Sequence, residues 1–280
     1  MITDKRKPPI NVVQLLPVLE KKLMSLLTSL NPEDWQKPTI AKSWTIKDIV
    51  AHLLDGNVRV LSMLRDNYFG ESLGKKTSIN LIDYLNCLNA DWVKAMKRVS
   101  PAILINLHQA TGYRYNEYYA SLDPFGKSPF AVDWAGEKES LNWMHIAREY
   151  TEKWLHQQQV RDVLNDKEIM TRELYYPFID IFMLALPHTY RNVEATDGTL
   201  VRITIPSGIG GHWNIIAEGG KWILDNANQA KPVSEVIIDA GIAWKLFSKS
   251  IRPQEIKHSV QIEGDQQLGE IALTMISVMA

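Results

Sequence analysis

The stretch 149-EYTEKWLHQQQVRD-162 places Glu152 and His156 four residues apart. Residues i and i+4 lie one turn apart on the same face of a helix. If this segment is helical, a carboxylate and an imidazole therefore stand side by side. Such a pair can grip one metal ion or simply hydrogen-bond on a wet surface, and a two-residue pattern alone does not choose between these. Working outward, the helical period covers residues 141–164. At about 100° per residue, His145, Glu149, Glu152, His156 and Val163 share one narrow arc, with Trp143, Tyr150 and Trp154 roughly opposite. His145 with Glu149 is a rival pair at the same spacing.

The same period repeats upstream. Residues 11–30 read as a helix that Pro17 kinks early. Next, "NPEDW" reads as a cap and short helix, with Asn31 as N-cap and Pro32 in first position. Residues 43–64 form a second long helix, where Thr45 and Asp48 approximate a capping box. A break at 70–74 precedes a third helix over 78–100, and a Tyr-rich fourth follows over 102–122. After a Pro- and Gly-containing loop and the 141–164 helix, another runs over 173–193 with Pro187 near its end. Beyond Ala195 the texture changes to β-branched runs punctuated by glycine, "GTLVRITIPSGIGGHWNIIAEGGKWILDNAN", with "EVIID" and "HSVQIEG" as further strands. "AGIAWKLFSKS" and residues 265–280 read as helices. The expected fold class is α+β: an N-terminal up-down four-helix bundle over residues 1–194, then a smaller C-terminal α/β domain over 195–280. "SGIGG" lacks the lysine and the strand–helix context of a phosphate loop.

Composition removes several function classes. With 31 basic and 32 acidic residues the net charge is −1, so no surface tracks phosphates and no nucleic-acid partner is expected. The beginning, "MITDKRKPPINVV", has no signal-peptide core, and no apolar run is long enough for a bilayer, which points to a cytoplasmic protein without a membrane partner. Cys87 is the only cysteine, so no internal disulfide forms. Its neighbours Tyr84, Leu85, Leu88 and Trp92 make it read as a small buried hydrophobe. Nine tryptophans fit a Trp-rich core or an aromatic cleft.

A metal centre in a bundle needs a ligand from a second helix. His52, in "IKDIVAHLLD", lies among apolar neighbours as a core histidine would, but Asp48 and Asp55 flank it at i−4 and i+3. A metal-bound imidazole commonly passes its other N–H to such a carboxylate.

Together, "DWQKPTIAKSWTIKDIVAHLLD" and "EYTEKWLHQQQVRD" about a hundred residues later resemble the DinB-like superfamily, in the branch named for mycothiol-dependent maleylpyruvate isomerase. Trp44, Thr45, Asp48 and His52 match its first motif. Glu152 and His156 match its Glu-x-x-x-His motif, because the following "RD" also falls in place. "LALPHTYRN", "GGHWNI", "GGKWIL" and "AWKLFSKS" are similar to the attached C-terminal domain, of sterol carrier type. The resemblance implies metal ligands His52, Glu152 and His156. They form a site with open positions that suits zinc, and equally nickel, iron or manganese. It also implies an external low-molecular-weight thiol, a small-molecule substrate, and isomerase or S-transferase chemistry. A basic residue of the C-terminal domain would reach the cofactor: Arg252 foremost, with Lys245 and Arg202 as the others. Trp44 reads as helix packing, and Tyr113, Tyr115, Tyr118 and Tyr119 as either a cleft lining or an amphipathic face. Two other classes stay open. One is a metal-binding protein without turnover; the other is an apolar-ligand or dimerisation scaffold, for which a homodimer would be the assembly.

Overall fold

The computed structural model describes residues 8–41, 43–70, 81–130, 139–256 and 258–276. A helical N-terminal region is followed by a five-stranded mixed sheet, so the fold is α+β. Helix α1 (Leu16–Ser29) buries Leu16, Leu19, Leu23, Leu26 and Leu27, each contributing about 2 kcal/mol of transfer free energy. Instead of a kinked helix from residue 11, a 3₁₀ turn (Val13–Leu15) leads into α1, and Pro17 lies in its first turn. There its missing N–H costs nothing, since first-turn N–H groups have no intrahelical acceptor. "NPEDW" is tighter than expected: a 3₁₀ turn (Asp34–Gln36) in which Asp34 Oδ2 accepts from the Asn31 N–H at 2.9 Å.

Helix α2 (Ile46–Arg59) opens on the expected capping box. Thr45 Oγ1 accepts from the Asp48 N–H at 3.3 Å, and Asp48 Oδ2 accepts from the Thr45 N–H at 3.1 Å. A π-helical turn (Val60–Arg65) continues it. The expected break at 70–74 lies, beyond Gly70, outside the described residues, as does the start of the third helix at Ser78. Helices α3 (Leu81–Met96), α4 (Pro101–Ala120, capped by Ser100) and α5 (Asn142–Val163) complete the helical series.

Packing divides the described chain into two compact units, one from Met1–Gly126 with Glu152–Lys167, the other from Lys127–Thr151 with Glu168–Met279. The division at residues 194 and 195 expected from texture falls where the helices give way to the strands. We propose that the texture boundary describes secondary-structure content and not packing.

In the first unit, α2 packs on α1-side and α4 side chains around Leu23, Ile49, Val50, Leu53, Leu104 and Val160. The C-terminal half of α5 is tied in by buried polar side chains. Gln157 Nε2 donates to the Leu19 carbonyl at 3.0 Å, and Arg161 Nη2 donates to that of Lys22 at 3.0 Å and pairs with Asp166. Tyr115 and Tyr119 are core residues, whereas Tyr113 is exposed. Cys87 is exposed, contrary to expectation. On α3 the inward positions are Leu85, Leu88, Trp92, Val93 and Met96; Cys87 shares the solvent face with Asp83, Asp91 and Lys94.

In the second unit, α6 (Arg172–Met183) is capped by Thr171, and a turn at Leu184 and Ala185 separates it from the short α7 (Leu186–Thr189), whose first turn holds Pro187, where one continuous helix was expected. Strands β1 (Leu200–Thr204), β2 (His212–Glu218), β3 (Lys221–Leu224), β4 (Ser234–Ile238) and β5 (Val260–Gly264) pair in the order β3-β2-β1-β4-β5. Only β1 and β4 are parallel. Gly219 and Gly220, with φ of 57° and 73°, make the two-residue hairpin turn between β2 and β3. Val201, Ile203, Trp213, Ile215, Val236 and Ile238 form the buried face of the sheet. Tyr175 Oη donates to the carbonyl of Ala240, which opens α8 (Ala240–Phe247), and Tyr190 Oη to that of Leu268 in α9 (Gln266–Ala272). Helix α9 ends earlier than expected, in a turn where Thr274 Oγ1 bonds the Ile271 carbonyl; residues 277–280 of the expected helix lie outside the described residues. No helix among the described residues is long and apolar enough to cross a membrane.

His108 on α4 donates from Nε2 to the Val50 carbonyl on α2 at 2.9 Å and is fully buried. Burial lowers its pKa from 6.5 to about 4, against the effect of the Val50 bond and helped by the charge of Lys153. A histidine held neutral this way stabilises the fold fully above its unfolded pKa, and the contribution fades as pH falls from about 6.5 towards 4. His108→Gln keeps a donor for Val50 but does not titrate. Urea unfolding of metal-free protein at pH 7 and pH 4.5 should show a loss smaller by roughly 2–3 kcal/mol in His108→Gln than in wild type. Equal losses would refute the assignment.

Candidate metal centre

The capping box fixes where α2 begins, and with it which side chains face inward. Ile49, Val50 and Leu53 are buried, and His52 stands at the edge of that face. Helix α5 supplies Glu152 and His156. Their donor atoms and those of His52 lie within 4.8 Å of one another, the one such group of His, Cys, Asp and Glu among the described residues. The two imidazole centroids are 4.6 Å apart at an interplanar angle of 77°. His156 Nε2 is 3.2 Å from Glu152 Oε2; Glu152 is 37% exposed and His156 13%, so the group opens to solvent on the Glu152 side.

His156 Nδ1 is 2.9 Å from Gln159 Oε1, an acceptor, so Nδ1 carries a hydrogen. His156 Nε2 faces the Glu152 carboxylate, where a proton on Nε2 or a bound cation satisfies both atoms. His52 Nδ1 is buried with no hydrogen-bond partner, a state that costs about 1–3 kcal/mol. Burial, then the charges of His156, Arg59 and Lys153, hold the His52 imidazole well below the usual histidine range, so it is neutral and its lone pair is available. Two imidazoles and a carboxylate fit a divalent ion, and three protein ligands leave coordination positions open. Zinc, nickel, iron and manganese all accept this donor set.

Other expected residues take other places. Asp48 is engaged in the capping box and Asp55 pairs with Arg59 at 2.8 Å, so neither carboxylate orients His52. Both have a closer local partner on their own helix. His145 is buried, and its Nδ1 accepts from Arg148 Nη2 at 3.2 Å; the rival pair with Glu149 joins no third ligand among the described residues. Trp44, read as packing, lies 4.9 Å from the His52 ring and 6.2 Å from the His156 ring, so it walls the group on one side. Gln159 went unnoticed in the sequence, although its i+3 position from His156 was a usable signal. Arg252, in the second unit, is exposed before a 3₁₀ turn, with its backbone N–H donating to Glu255.

The sequence profile described as the mycothiol maleylpyruvate isomerase N-terminal domain matches residues 16–161, a range that includes His52, Glu152 and His156. Among solved structures, the chain is similar to the crystal structure of the mycothiol-dependent maleylpyruvate isomerase, with 11% identity and a TM-score of 0.54, over 90% of this chain and 91% of that one. The structure of a histidine-to-alanine mutant of that enzyme gives 10% identity and a TM-score of 0.54 at the same coverage. At these identities the likeness is one of fold. No curated protein matches the chain.

If Gln159 orients His156 for a metal, Gln159→Leu should weaken divalent-ion binding about 10–100-fold while the protein stays folded. His52→Ala should abolish stoichiometric binding. Titration calorimetry with Zn²⁺ on metal-stripped protein measures both, and unchanged binding in His52→Ala would remove it from the centre.

Proposed function

Because the chain belongs to the family of the mycothiol maleylpyruvate isomerase N-terminal domain, we propose that it is a metal-dependent enzyme that uses a low-molecular-weight thiol of the mycothiol kind to isomerise a small cis-unsaturated acid such as maleylpyruvate. The observation that carries this reading is the meeting of His52, Glu152 and His156 from two helices in one partly open group. These three residues would hold the ion, with zinc as the first candidate. A bound divalent ion supplies a place for the thiol sulfur and lowers the thiol pKa towards neutrality.

In the proposed reaction the sulfur adds to the activated double bond, the bond rotates as a single bond, and the thiol leaves again as the trans double bond forms. No atom is gained or lost. The chain's own residues prepare the site. Gln159 fixes the tautomer and ring plane of His156, Trp44 shields both imidazoles on one side, and burial keeps His52 unprotonated. The nucleophile is external, since Cys87 faces solvent on α3 with charged neighbours.

We assign cofactor recognition to Arg252. Arg202 is already held by Asn214 Oδ1 and the Ala230 carbonyl, and Lys245 lies over the Trp244 ring. A thiol that must stay reduced supports a reducing compartment, the cytoplasm, for the proposed enzyme.

Activity should be assayed with maleylpyruvate and a panel of cellular thiols in the presence of Zn²⁺. Cys87→Ser should retain wild-type rates. Glu152→Gln keeps the shape but loses the charge, and should lose at least about 100-fold in kcat together with its metal. Arg252→Ala should raise the KM for the thiol and spare kcat. Full activity in a folded, metal-free Glu152→Gln protein would refute the mechanism.

A further inference from the structure

Lys153 follows Glu152 directly in the chain but is only 8% exposed, inside the helical unit. Its Nζ donates to the Leu53 carbonyl at 3.2 Å and to Asn57 Oδ1, and it lies 4.4 Å from the Tyr115 ring centroid. Leu53, in turn, follows His52 directly. One ammonium group thus joins the neighbour of one proposed ligand to the neighbour of another, across two helices and 100 residues of sequence.

A lysine is a costly way to make such a tie, because a buried ammonium must be compensated. The surroundings supply that compensation. A carbonyl, an amide oxygen and a ring face all accept from it, and the Glu20 carboxyl feels its charge, although burial outweighs that charge and raises the Glu20 pKa. Gly112 makes the room, since a Cβ there would overlap the Glu20 carboxylate. The ties of Gln157 and Arg161 reach α1, and that of Tyr150 reaches the Leu174 carbonyl of α6; neither helix carries any of the three ligands.

We infer that Lys153 is a positioning residue for the metal centre, its bond to the Leu53 carbonyl setting the register of α5 on α2 that brings His52 against Glu152 and His156. This rests on the reading of those three residues as ligands. The demand is geometric. Metal–ligand distances hold within about 0.2 Å, whereas a slip of one helical turn is about 5.4 Å. An adjacent tie transmits the least error to the ligand.

The test compares Zn²⁺ affinity, by chelator competition, and the visible spectrum of the Co²⁺-loaded protein in four forms: wild type, Lys153→Met, Glu20→Gln/Lys153→Met, and Gln157→Met. The double variant removes both buried charges, so it stays folded if Lys153→Met alone does not. Expected are a 10- to 100-fold weaker Zn²⁺ affinity and an altered Co²⁺ spectrum in the folded Lys153 variants. Gln157→Met should lose stability with neither change. Wild-type affinity and spectrum in the double variant would overturn the inference, leaving Lys153 a role in folding only. Equal weakening in Gln157→Met would also overturn it, by showing general loosening of α5. A wild type that binds no Zn²⁺ would instead remove the ligand assignment itself, and the inference with it.

Discussion

The seating of α5 on its neighbours is the constraint from which the rest of the first unit follows. Hydrophobic contacts between helices tolerate sliding, because a ridge of side chains finds another groove one turn away. Buried polar groups do not, because each displaced donor or acceptor costs about 1–3 kcal/mol. Lys153, Gln157 and Arg161 are all buried, and each bonds a backbone carbonyl of α2 or α1. A slip along α5 would break all three bonds together. The polar side of this helix therefore specifies one register, and within it the Lys153 bond to α2 is the tie that sets two of its side chains beside His52.

Local rules made much of this legible in the sequence. The Thr45–Asp48 capping box, the Gly219–Gly220 hairpin and the i, i+4 pair of Glu152 with His156 each depend on residues a few positions apart, and each has the expected form. Bringing His52 to that pair is a long-range event. No spacing rule spans a hundred residues, and only family resemblance bridged it. The errors share a cause too. Lys153, Gln157 and Arg161 belong to residue types that are mostly exposed yet are buried here, whereas Cys87, expected to be a small buried hydrophobe, is exposed. Residue type predicts burial only on average, and a helix interface built from polar ties lies far from that average. Asp48 and Asp55 were candidate partners of His52 by position, but a capping box and an i, i+4 ion pair claim them first.

Arg161 and Lys153 also show how stability and specificity divide. Replacing buried ions with apolar groups often leaves a protein as stable or more so. A purely apolar α5 would hold the unit together, yet would define its ligand geometry less sharply, because apolar seams accept several packings at similar free energy. The carboxylate of Glu20 under Lys153, with Gly112 cleared to admit it, is a device that adds no apolar area. Its contribution lies in making the alternatives worse.

The same division extends to the three ligands. His52 Nδ1 is buried without a hydrogen-bond partner, which costs about 1–3 kcal/mol. The tie through Lys153 holds it in place, and under the proposed reading a bound cation would relieve that cost. Affinity for the ion would then derive partly from the folding free energy spent in keeping three donors together. Loosening the Lys153 tie would ease the strain on the group and weaken its hold on an ion, and that opposition would be the physical signature of a preorganised site.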